Sequence, residues 1–194
     1  MVRWQHLLRS TDYNDRNING TRPPSGPVYS SMSLSQFFPL ERHPQTGEPY
    51  IPLPAPHENV IITPARREDV PHMVAILNDT PVKKWLDGPP FPYLDEHAEQ
   101  WIANAMGTSE TVMHELRVAD ADHPEGPLVP VSGCPVGSLR VVQEDGRETF
   151  LGVVEFKRCG FPDMLDPEEQ RRLVARNQSR KYGDPEIVWC IGCK

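Results

Sequence analysis

The chain has 194 residues, a net charge of −7 and a sequence pI of about 5.5, which excludes a general nucleic-acid or membrane-surface binder, whose footprint is a basic patch. Hydrophobic residues make up 38% of the chain, and none of its apolar runs reaches the roughly 18 residues of a membrane span. The reading is a chain with no nucleic-acid and no membrane partner, cytoplasmic or nuclear. Residues 1–10 lack the apolar core of a secretory signal, so the four cysteines (Cys134, Cys159, Cys190 and Cys193) are expected as free thiols. The sequons at Asn19 and Asn177 are then chance matches.

Proline is the outlier at 22 residues, nine of them before His57. Prolines at positions 39, 44, 49, 52, 54 and 56 withdraw backbone donors and favour extended, solvated chain. Residues 1–58 are therefore expected to be a disordered, Pro-rich segment, and residues 59–194 the folded domain.

From Asn59 the texture changes. The β-branched run Asn59–Thr63 reads as a strand ended by Pro64. Val70, Met73, Val74 and Leu77 then follow helical spacing, with Pro71 in the first turn and an end near Asn78–Thr80. A loop from Lys83 to Tyr93 leads to a second helix. Asp95 is its expected N-cap, Ala98, Trp101, Ile102 and Ala105 its buried stripe, and Gly107 its close. His97 on this helix is expected to face solvent. The alternation of Leu116 and Val118 with Glu115 and Arg117 predicts a strand over His114–Ala119, followed by a polar loop, Asp120–Gly133.

Strands are expected over Val136–Val142 and Thr149–Lys157, joined by the turn signal Asp145-Gly146. Asp166-Pro167-Glu168-Glu169 predicts a helix with Asp166 as N-cap, running to about Ser179. A last strand is expected over Glu186–Ile191. Strand, two helices, then antiparallel strands with one inserted helix make an α+β pattern.

The residues that fill this order carry a resemblance. Ile61-Ile62-Thr63-Pro64-Ala65 leads to Glu68-Asp69-Val70, then Val82-Lys83-Lys84-Trp85-Leu86, Pro90-Phe91-Pro92 and Glu99-Gln100-Trp101-Ile102. Pro135-Val136-Gly137-Ser138-Leu139 and Asp184-Pro185-Glu186-Ile187-Val188-Trp189 follow. Together they resemble the front half of the GNAT superfamily of N-acetyltransferases, in the branch similar to ribosomal-protein alanine acetyltransferases. The resemblance implies a partial GNAT fold, acetyl-CoA as co-substrate, and a small-molecule or protein amine as acceptor.

Carried over residue by residue, the resemblance implies Glu186 as general base or as a binder of the substrate amine. It implies that Trp189, Cys190 and Ile191 meet the pantetheine arm, and that Trp85, Phe91 and Tyr93 border the acceptor. After the family's fourth strand comes a Q/R-x-x-G-x-G/A loop whose amides and helix N-terminus hold the pyrophosphate. Here only Gly192-Cys193-Lys194 follow that strand, so the chain is expected to be truncated, with impaired cofactor binding and impaired activity. It is also expected to carry an open sheet edge suited to self-association. Two other readings remain. One is a non-catalytic fragment acting as a pairing module. The other is a zinc module in which Cys190-Ile191-Gly192-Cys193 joins Cys134 and Cys159.

Overall fold

A computed structural model describes residues 35–86, 88–124 and 126–193. Within them, six strands form one antiparallel meander in the order β1-β2-β3-β4-β5-β6. These are β1 (Glu41–Arg42), β2 (Pro49–Pro52), β3 (Val60–Thr63), β4 (Ser138–Val142), β5 (Glu148–Arg158) and β6 (Trp189–Cys193). Four α-helices accompany them: α1 (Val70–Asn78), α2 (Thr80–Lys83), α3 (Asp95–Asp122) and α4 (Pro167–Ser179). The α+β class read from the sequence holds. Among the described residues no helix is long and apolar enough to cross a membrane.

Local chemistry sets most of these boundaries. Asp166 Oδ1 accepts the Glu168 N–H at 2.9 Å, and Pro167 opens α4, whose missing N–H costs nothing there. Gly146, at φ +81, closes the turn between β4 and β5, a conformation that residues with a Cβ rarely adopt. β4 pairs β3 from Thr63↔Ser138 to Val60↔Val141, and pairs β5 with an irregularity between Leu139 and Arg140. On the face carrying Phe150 and Val153 the core gathers Met73 and Leu77 of α1, Ala98 and Ile102 of α3, and Tyr93. Burying a side chain as fully as Ile102 contributes about 1.5–3 kcal/mol.

Several expectations are corrected. The second helix does not close at Gly107, and His114–Ala119 is not a strand: both lie inside the 28-residue α3. The buried residues Ala98, Ile102, Ser109, Val112, Leu116 and Ala119, with half-buried Ala105 between them, continue one stripe in steps of four and three. Leu116 is buried on that stripe while Val118 is 47% exposed. Gly107 lies where an added Cβ would meet nothing within 4 Å, so it interrupts no packing, and its cost of about 1 kcal/mol relative to Ala is absorbed by the long helix. The N-cap of α3 is Leu94, not Asp95, and the His97 ring takes the capping role by accepting the Leu94 N–H at Nδ1, 3.0 Å away. The short α2 comes between the end of α1 and the expected loop, sharing only Lys83 with it, and β6 begins three residues later than Glu186.

The Pro-rich segment is ordered where it is described. Residues 1–34 lie outside the described residues, but β1 and β2 form a ribbon, and Ile51↔Ile62 and Pro52↔Ile61 join it to β3. Pro49 and Pro52 occupy the two ends of β2, where a missing donor is tolerated. Charge fastens the ribbon to the rest. Arg66 bridges Glu48 at 2.5 Å and Glu148 at 2.7 Å, and His43 Nε2 lies 3.2 Å from Glu148. Beneath them Arg140 donates to both oxygens of Asp69, at 2.9 and 2.8 Å, and to Thr63 Oγ1 at 2.8 Å. Arg140 and Asp69 are 4% and 2% exposed, a fully desolvated pair.

Before β1, Gln36 clasps the far end of α3. Its side chain donates to the carbonyls of His123 and Pro127 and accepts the Val129 N–H at 2.8 Å, while its own N–H donates to Asp120.

Candidate functional site

Two clefts open between the helices and β5. The first, about 530 Å³, lies under α1, the loop before α3 and the first turns of α3. Asn78 builds this corner. Its amide donates to the Val74 and Tyr93 carbonyls, at 2.9 and 2.7 Å, and accepts the Tyr93 N–H at 2.9 Å. The loop is thereby pinned to α1 and Tyr93 is turned into the core, where burial raises its phenol pKa.

Glu96, His97, Gln100 and Asn104 give this cleft a polar wall on α3, while Met73, Leu77 and Phe150 give an apolar floor. His97, expected in solvent, lines the cleft with its ring 5.4 Å from that of Tyr93. Because Nδ1 accepts a backbone N–H, the neutral ring carries its proton on Nε2 and acts as a donor, not a base.

The second cleft, about 630 Å³, lies between the middle of α3, the segment 132–138 and the end of β5, with Tyr182 and Trp189 on its far wall. Trp101, Val153 and Lys157 line both clefts, so the two meet along β5. At the meeting point the Trp101 indole donates to Glu155 Oε1 at 3.2 Å. Strand alternation puts Val153, Glu155 and Lys157 on the helix-facing side of β5. Gly192 lies across from Glu155, and a Cβ there would stand 3.8 Å from Glu155 Oε2. The carboxylate is therefore held between an indole and the backbone of β6.

Arg158 is committed elsewhere in this cleft. Its guanidinium donates to the carbonyls of Asn177, Gln178 and Arg180 at the end of α4, and lies 4.7 Å from the Tyr182 ring and 5.9 Å from that of Trp189. Asn177 completes the junction by spanning β5 and β6. It donates to the Cys159 and Val188 carbonyls and accepts the Val188 N–H at 3.0 Å. It is 3% exposed, so the sequon at this position is closed off in the folded chain.

The residues singled out from the sequence are scattered. Tyr93 lines the first cleft and Trp189 the second. Glu186 lines neither. It precedes β6, 66% exposed at its side chain and paired with Arg180 at 2.5 Å. Trp85 and Phe91 also stand outside both clefts, 73% and 62% exposed, with the Lys83 ammonium 3.4 Å above the Phe91 ring. Cys190 and Ile191 lie on β6, Cys190 opposite Lys157 and Ile191 opposite Phe156.

The four cysteines do not assemble as a zinc set: among the described residues no three His, Cys, Asp or Glu side chains gather to hold a metal ion. Cys134 donates to the Val136 carbonyl, and burial raises its pKa. Cys190 is pushed up to about 11 by burial and by its hydrogen bond with Cys159. Glu155 and Lys157, the charged pair of the trough, were not singled out from the sequence. The signal that would have found them is an acid and a base two residues apart in a strand, on the same face as a buried valine.

Comparison with protein-family models, curated proteins and solved structures finds no match.

Proposed function

We propose that this chain is an N-acyltransferase domain of the GNAT type, with the two clefts as the acceptor and thioester ends of one trough. The observation that carries the reading is their meeting at Trp101, Val153 and Lys157, beside Glu155 of the second cleft, in a strand–helix–helix–antiparallel-strand order like that of the family. An amine enters the first cleft, drawn as a cation by Glu96 and by the net negative charge, and is oriented by Gln100 and Asn104. Glu155 takes the role expected of Glu186: its carboxylate accepts a proton from the amine, so that the nitrogen lone pair can attack the acyl carbonyl. The new C–N bond forms as the C–S bond breaks; the thiolate leaves with that proton, and the second proton of the original ammonium passes to solvent. The Trp101 indole orients the carboxylate by its hydrogen bond to Oε1.

Acetyl-CoA fits this chain in part. Trp189 offers apolar contact for a pantetheine arm in the second cleft. Arg158, the arginine that lines this cleft, is already committed to the carbonyls at the end of α4 and is not left to hold a pyrophosphate. Weak cofactor binding follows. The test is calorimetry of the purified chain with acetyl-CoA, followed by mass detection of acetylated product with a peptide N-terminus, a lysine peptide and a polyamine at saturating cofactor. Binding in the millimolar range and turnover reduced on the order of 10²-fold or more by Glu155→Gln, with Glu186→Gln near wild type, are expected. No product from the folded chain at any cofactor concentration refutes the reading.

A further inference from the structure

The two edges of the sheet are built differently. β1, at one edge, is two residues long and fully charged (Glu41-Arg42), both features that discourage a further strand. β6, at the other, is five residues, Trp-Cys-Ile-Gly-Cys, with no charge and no proline. Nothing in its composition blocks an added strand.

Its outward groups can be assigned. The Cys159 N–H donates to the Val188 carbonyl at 2.8 Å, which makes 159 and 188 a hydrogen-bonded pair. Antiparallel pairs alternate, so Lys157↔Cys190 and Glu155↔Gly192 are hydrogen-bonded too. Trp189, Ile191 and Cys193 therefore turn their N–H and C=O groups away from β5. Ile191 and its neighbour across the ladder, Phe156, are 57% and 52% exposed, and Trp189 is 45% exposed.

We propose that β6 is the interface for a second copy of this chain, the two β6 strands pairing antiparallel about a two-fold axis through Ile191. In that register Ile191 faces Ile191 of the other copy, and Trp189 faces Cys193. All three outward residues become hydrogen-bonded pairs, giving roughly six new backbone bonds. An uncharged strand is self-complementary in a way a charged one is not, and an isologous contact needs the same patch on both partners. Ile191, Phe156 and their symmetry mates then form one apolar strip across the joined sheets. This inference is independent of the catalytic reading.

The experiment is sedimentation equilibrium of the full chain up to about 100 µM, where a complex of micromolar Kd is mostly formed, with hydrogen exchange read at single amides. A dimer is expected, with the amides of Trp189, Ile191 and Cys193 gaining protection as concentration rises while those of Cys190 and Gly192 are protected throughout. Ile191→Pro deletes an outward donor and no bond to β5, as edge-strand proline does elsewhere. It is expected to weaken association at least tenfold. Ile191→Lys, which places like charges against each other at the axis, should do the same while keeping the N–H, and unchanged circular dichroism shows that either variant is folded. A chain that stays monomeric at this concentration overturns the proposal, as does a dimer that survives both substitutions or one whose Ile191 amide exchanges at the monomer rate.

Discussion

Replacing Asp69 by alanine is the sharpest test of what holds the sheet to the helices. Asp69 sits at the end of the 3-10 turn before α1, and its two oxygens accept from both terminal nitrogens of Arg140. It also accepts the Arg66 N–H at 2.8 Å. Both members of the pair are almost wholly buried, so alanine leaves a guanidinium desolvated without its counter-charge. Breaking a buried pair from one side costs about 3–5 kcal/mol. Glu148, with Oε2 3.8 Å from Arg140 Nε, takes up part of the stranded charge, which places the cost near the low end, about 3 kcal/mol. For a domain of this size that lowers Tm by roughly 6–12 °C.

Urea unfolding followed by circular dichroism reads the difference directly. The double variant Asp69→Ala with Arg140→Met separates a stranded charge from lost packing. If the charge dominates, the double variant is more stable than Asp69→Ala alone. A loss below about 1 kcal/mol for Asp69→Ala, or a double variant less stable than the single one, refutes the reasoning.

Two further outcomes follow from the β5–β6 junction. Asn177→Ala removes three hydrogen bonds that join α4 to both strands and strands the Val188 N–H. A loss of about 2–3 kcal/mol is expected, with faster amide exchange across β6 as the distinguishing sign. At Cys190, with its pKa near 11, alkylation should keep accelerating above pH 10, where an ordinary thiol of pKa about 8.5 has already levelled off. Unfolding lets this thiol ionise at its ordinary pKa, so its contribution to stability is complete below about pH 8.5 and fades as pH rises towards 11. An alkylation midpoint near 8.5 in the folded chain contradicts this.

Features set by neighbouring residues were legible in the sequence. The α4 start was written in Asp166-Pro167, the β4–β5 turn in Asp145-Gly146, and the α1 stripe in Met73 and Leu77, which are buried as expected. Features set by distant packing were not. Leu116 and Val118 alternate as a strand would, and only the stripe running from Ala98 through Val112 shows that Leu116 belongs to a helix. The ribbon of β1 and β2 was hidden because proline content argues for solvated chain, while its order comes from pairing with β3 and from Arg66, more than a dozen residues away. The resemblance set Tyr93 at an acceptor and Trp189 at a pantetheine arm; the two line separate clefts. Glu155 was hidden because its placement depends on an indole 54 residues earlier.

The clasp made by Gln36 has a kinetic consequence. Its bonds to His123, Pro127 and Val129 span 87, 91 and 93 residues of chain. Loops of that length close only after the elements between them have formed, and the contacts they gain are few. The strap that precedes the ribbon is thus set late in folding and is among the first parts to lift. A protein cut to begin at Asn59 would lose it together with β1 and β2, and β3 would become the bare edge of the sheet. The domain therefore begins well inside the segment that proline content marks as tail.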